Sequence, residues 1–114
     1  MAKDPDALMA ELGEGMVQVE EELPELSAAF VQMDQACYVE GELERKYKEL
    51  IGLGIAVAVR CEYCMCIHVK QALNEGATRE EIMEAAAIGV AFGGSPAMAY
   101  LSTVVTAALE AFED

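Results

Sequence analysis

Every strong punctuation mark in this chain falls where a helix would begin or end. Asp4 followed by Pro5 reads as a cap and a first helical residue, and Pro24 stands at the start of a second apolar-periodic run. Pro96, behind Ser95, does the same for the last run. Thr78 and Glu81 form a capping box in "TREE", Gly76 is a natural stop, and "GGSP" is a break. Leu8, Leu12, Met16 and Val19 recur at helical spacing, and no run alternates in the manner of a strand. The expectation is an all-α bundle of about six helices in one domain, 1–114. Residues 1–22 form an acidic helical extension that Gly13 and Gly15 weaken and are expected to break.

The predicted segments beyond that extension are "LPELSAAFVQMDQACY", "ELERKYKELIGLGIAVAV", a helix from Cys61 to Asn74, "IMEAAAIGVAFGG", and a last helix from Pro96. Several are apolar on more than one face. With 54% hydrophobic residues in 114, the chain is more apolar than so small a monomer needs. The expectation is that some faces are buried against other copies of the chain.

Charge excludes one class of partner. Residues 1–42 hold eleven acids and one base, and the whole chain carries a net −14, so a phosphate backbone is repelled. "MAKDPDALMA" lacks the apolar core of a secretory signal, and the run Leu50–Val59 is shorter than the roughly 20 residues that cross a bilayer. These features predict a cytoplasmic protein without nucleic-acid or membrane partners. In that compartment cysteines stay reduced unless they carry redox chemistry or bind metal.

The stretch "CEYCMCIH", 61–68, holds three of the four cysteines and the only histidine. At 100° per residue, Cys61, Cys64 and His68 fall within a stripe about 60° wide, and Cys66 falls on the other side. Cys66 and Cys37 therefore read as small buried hydrophobes. Structural zinc wants a second ligand pair from another segment, which is missing, and haem attachment wants a histidine where Met65 stands. A redox dithiol fits better and asks for no cofactor. Cysteines three apart on a helix reach disulfide distance, and His68, four residues beyond Cys64, can exchange protons with it. Cys64 reads as the attacking thiol because of that base, although Cys61 lies nearer the helix start, where a thiolate is stabilised. If the helices on either side of Arg60 fold back on each other, Glu49 reaches His68 and orients it.

The pattern Glu49-x11-Cys61-x2-Cys64-x3-His68 resembles the alkyl hydroperoxide reductase D-like (AhpD-like) branch of the carboxymuconolactone decarboxylase superfamily. The similarity extends from about residue 24 to the C-terminus. The resemblance implies an all-α fold assembled as trimers or hexamers, and peroxidase or thiol-disulfide oxidoreductase activity with Glu49, Cys61, Cys64 and His68 as its site. It also implies a hydroperoxide or disulfide substrate. The reductant would be a thiol protein such as a peroxiredoxin, a lipoyl-bearing protein or a thioredoxin-like protein. Some members carry a histidine just before the second cysteine, where this chain has Tyr63, a far weaker acid–base group near neutral pH. Two other readings stand beside this one: the lactone decarboxylase chemistry that names the superfamily, and a metal- or partner-binding module without turnover.

Overall fold

The computed structural model describes residues 4–114; residues 1–3 of the N-terminal extension lie outside the described residues. Asp4 caps α1 (Pro5–Glu22), its side chain accepting from the Ala7 N–H at 3.3 Å. The helix runs through Gly13 and Gly15 without the expected break. Each glycine costs about 1 kcal/mol against alanine, which an 18-residue helix with a firm cap and a proline at its start absorbs. Leu8 carries α1 into the common core, so the extension shares that core. After Leu23, α2 (Pro24–Tyr38) follows with no buried residue at all. Cys37 on this helix is consequently exposed. Its expected burial fails because α2 leans on its neighbours without entering the core.

α3 (Arg45–Val59) and α4 (Glu62–Asn74) are separated by two residues. Arg60 takes the left-handed conformation, φ 61°, and its N–H closes on the Ala56 and Val57 carbonyls. The Cys61 N–H then bonds the Ala56 carbonyl at 3.0 Å. This tight corner folds α4 back along α3. Gly76, at φ 90°, ends the turn after α4, and the Thr78–Glu81 capping box opens α5 (Arg79–Tyr100) with bonds of 3.1 and 2.9 Å.

α5 departs from helical geometry at Gly94 (φ 71°, ψ −152°), within the predicted "GGSP" break. Beyond it the chain resumes through a π-helical turn, Leu101–Val105, into α6 (Thr106–Phe112). Ser102, Thr103 and Thr106 each donate to the carbonyl four residues back at 2.8 Å. Such back-bonding competes with the backbone ladder and loosens the helix where it occurs. Taken together, Arg79–Phe112 is long and apolar enough to cross a bilayer by length and composition, which the reading of separate segments overlooked. In the fold it bends and buries Ile82, Ala86, Ala97, Val104, Val105 and Leu109 in the bundle.

The core sits where α3, α4, α5 and the C-terminal stretch meet, around Leu53, Val57, Met65, Val69, Ile82, Val105 and Leu109. α3 and α5 cross backbone to backbone. A Cβ at Gly89 would collide with the Gly54 carbonyl oxygen and stand 2.8 Å from Val57 Cβ. Small residues thus serve contacts inside the chain. The larger apolar side chains beside that crossing, Ile51, Ile55, Ile88 and Phe92, stay exposed, Phe92 by 85%.

Candidate active site

The α3–α4 corner sets the site. Because only Arg60 and Cys61 separate the helices, α4 folds straight back along α3, and a stagger of about one helical turn sets His68 opposite Glu49. Glu49 Oε1 meets His68 Nδ1 at 2.8 Å. The carboxylate side chain is 1% exposed and the imidazole 14%. A buried carboxylate needs donors on both oxygens. Gln71, its amide nitrogen turned toward Glu49, donates to both at 2.9 Å. With Glu49 accepting, the proton of a neutral His68 resides on Nδ1, and Nε2 presents its lone pair.

Cys61 and Cys64 are joined in a disulfide with their Cα atoms 5.2 Å apart. Cys61 caps α4, standing just before the helix, where it was expected to be the first helical residue; its Sγ accepts the Cys64 N–H at 3.2 Å. That N–H is one of the unpaired donors of a helix start and favours a thiolate at Cys61 when the pair is reduced. Cys66 is fully buried on the opposite side, as its helical phase predicts. Burial, with Glu62 and Asp4 adding to it, pushes its thiol up to about 11, so it stays protonated at neutral pH.

The geometry thus forms two pairs: Glu49 on His68, and Cys61 with Cys64 at the head of the helix that carries His68. Among the described residues no group of three or more His, Cys, Asp and Glu side chains is gathered to hold a metal ion. Tyr63 turns toward α1, its hydroxyl donating to Glu11 Oε1.

The family model for carboxymuconolactone decarboxylases matches residues 24–110. The chain belongs to the carboxymuconolactone decarboxylase family. An uncharacterised protein of Cupriavidus necator is 38% identical over 79 residues, 69% of this chain and 70% of that one. Among solved structures, an apo carboxymuconolactone decarboxylase family protein from Legionella pneumophila superposes with a TM-score of 0.85 at 33% identity, covering 98% of this chain and 96% of that one. α1, which precedes the family match, therefore has a counterpart in another carboxymuconolactone decarboxylase family protein. A family member from Thermotoga maritima, for which a part in an antioxidative response has been suggested, aligns at 36% identity and TM-score 0.69 over 75% of this chain and 88% of its own. The all-α architecture agrees with the AhpD-like branch that the motif indicates.

Three further residues complete the site in this family member and were missed in the sequence. Gln71 follows His68 by three positions, so helical phase alone could have placed it on the stripe. Gly52 follows Glu49 by three. A Cβ there would lie 2.7 Å from Tyr38 Oη and 2.8 Å from His68 Cε1, so only glycine lets both rings settle on α3. Tyr38 reaches the site from α2, its ring centroid 5.4 Å from that of His68. Burial raises its phenol above the ordinary value, with Glu49, Asp34 and Cys37 adding to the shift, and Tyr38 keeps its proton at neutral pH. No local pattern announces it.

Proposed function

We propose that the protein is a thiol-dependent peroxidase and disulfide oxidoreductase of antioxidant defence. The observation that carries this reading is the 2.8 Å contact of Glu49, on α3, with His68, on the helix whose first turn holds the Cys61–Cys64 disulfide. A thiolate at Cys64 attacks the distal oxygen of a hydroperoxide, giving a sulfenic acid at that sulfur and releasing an alcohol that takes up one proton. Cys61 then displaces the sulfenic oxygen as water and forms the disulfide. Two thiols and one hydroperoxide become one disulfide, one alcohol and one water. An external dithiol reopens the pair by exchange, with His68 returning the proton to the departing sulfur. A peroxiredoxin, a lipoyl-bearing protein or a thioredoxin-like protein has the chemistry for that step, and a reducing compartment such as the cytoplasm suits it.

The exposed Ile51, Ile55, Ile88 and Phe92 support self-association, and the reading includes a trimer or hexamer. The vicinal thiols favour redox chemistry over the decarboxylation in the family's name, which has no use for them. Free-thiol titration before and after one equivalent of an organic hydroperoxide tests the proposal. Loss of two thiols per chain, with a Cys61–Cys64 disulfide in the peptide map and catalytic peroxide consumption once a dithiol is supplied, is the expected result. Unchanged thiols would overturn it.

A further inference from the structure

Glu49 occupies Nδ1 of His68, so any proton that His68 gives or takes during a redox cycle must pass through Nε2. The group at Nε2 is the Tyr38 hydroxyl, 3.4 Å away. That is longer than the ~2.7–3.2 Å of a settled hydrogen bond, as catalytic bonds often are before a reactant closes the site. Tyr38 is the last residue of α2, a helix that buries no side chain. Two features nevertheless hold it here. Lys48 of α3 donates to the carbonyl of Val39, the next residue, at 2.6 Å. Gly52 leaves the space into which the phenol and the imidazole fit. The phenol also lines an open cleft of about 480 Å³, with Met33, Asp34, Cys37, Lys48 and Ile55.

We infer that Tyr38 is a positioning residue of the proposed relay: its hydroxyl holds the His68 ring through Nε2 and links that nitrogen to the cleft. The inference rests on His68 acting as the acid–base group of the cysteine pair. A hydroxyl is both donor and acceptor, so it can donate to neutral His68 and accept from the imidazolium. When an imidazolium His68 hands its Nε2 proton to a departing thiolate, Tyr38 passes one proton to Nε2 and takes one from cleft water, and the hydroxide left behind is neutralised by the bulk buffer. Tyr38 ends unchanged and still neutral, in keeping with its proton-retaining surroundings. The hydrogen bond Tyr38 makes is to His68. Its part is to keep the base in phase and supplied with protons.

The test compares Tyr38→Phe, which keeps the ring, with Tyr38→Leu, which loses ring and hydroxyl together. His68 is the only histidine in the chain, so its ring nitrogens give one unambiguous set of NMR signals. In the 15N-labelled full-length protein, Tyr38→Phe is expected to move the Nε2 resonance and leave Nδ1 nearly in place. The rate at which dithiothreitol reopens the Cys61–Cys64 disulfide should fall roughly ten-fold in the same variant, about the worth of one hydrogen bond to an ionisable group. A purely structural ring predicts that Tyr38→Phe matches the parent in both readouts and that only Tyr38→Leu is impaired; that outcome overturns the inference. Should Tyr38→Leu fail to fold, Tyr38→Phe decides alone. Neither readout uses a peroxide, so absent peroxidase activity would count against the proposed function without altering what these two measurements say of Tyr38.

Discussion

Cys61 Sγ accepts the backbone N–H of Cys64 at 3.2 Å, so the first cysteine of the pair is also the cap of the helix that carries the second. Two influences therefore act on different sulfurs. Helix-end stabilisation, about 0.3–1 kcal/mol, falls on Cys61. The base, His68, follows Cys64 by one helical turn. General acid–base assistance is typically worth roughly 10²–10⁴ in rate, well above the helix-end term, so the proposed mechanism has Cys64 attack. With Cys61→Ser, where serine remains a good cap, a hydroperoxide should leave a sulfenic acid or mixed disulfide on Cys64. Cys64→Ser should trap little. The reverse pattern in mass spectrometry would exchange the two roles.

Glu49 is the buried end of the proposed relay, and its loss should be felt twice. Glu49→Gln keeps the volume but can present the wrong group to His68 Nδ1, and peroxide-dependent disulfide formation should slow about 10- to 100-fold. Glu49→Ala strands the Gln71 amide and the imidazole N–H in a dry site. A destabilisation of roughly 1–3 kcal/mol per unmet group is expected in urea melts. A variant as active and as stable as the parent would remove Glu49 from the site.

Gly52 has little freedom to change. A methyl group there meets Tyr38 Oη at 2.7 Å and the imidazole at 2.8 Å, both side chains that must move for it to fit. Gly52→Ala should raise helix propensity in α3 by about 1 kcal/mol and still lower activity, because the rings lose their seat. Parent-like kinetics with a raised Tm would refute this.

Cys66 should be dispensable for turnover, with Cys66→Ala and Cys37→Ala within a few-fold of the parent. Cys66 also has a signature in stability. Its folded pKa, raised from 9.0 to about 11, means that the unfolded chain releases the proton first. Stability is then constant below about pH 9 and falls as pH rises to about 11, by roughly 2–3 kcal/mol. Denaturant melts of Cys66→Ala across that window should show a shallower alkaline decline than the parent. An identical slope would mean that the thiol is not shielded as the core implies.

Light scattering should return a mass several times 12.3 kDa at micromolar concentration. The motive is the apolar surface left by α3 and α5 around Ile55 and Phe92. A clean monomer would show that these faces tolerate water.

What the amino-acid sequence disclosed, and what it withheld, follows the range of the forces involved. Caps and stops act within one turn, so Asp4, Pro24, Gly76 and the Thr78–Glu81 box were readable as they stand. The Glu49–His68 contact spans 19 positions, yet it was also legible, because a two-residue corner folds α4 back along α3 and leaves only a stagger of about one turn to be assumed. Tyr38 was not, since its arrival depends on where α2 comes to rest, and α2 has no buried stripe to declare its docking face. The same lack misled the reading of Cys37. The π-helical turn escaped notice because hydroxyl back-bonding at Ser102, Thr103 and Thr106 leaves hydrophobic periodicity almost unchanged.

The Cys61–Cys64 bridge closes a ring of sequence separation three, at the start of α4. So short a loop removes little freedom from the unfolded chain compared with a bridge between distant segments. One of its sulfurs belongs to a cap that a free thiol or thiolate can fill equally well. Opening the bridge should therefore cost the core of Leu53, Val57 and Val69 little, although Cys64 packs against it. In the redox cycle proposed above, electrons would enter and leave through this three-residue loop while the helix cap persists, so that one fold could serve both halves of the cycle.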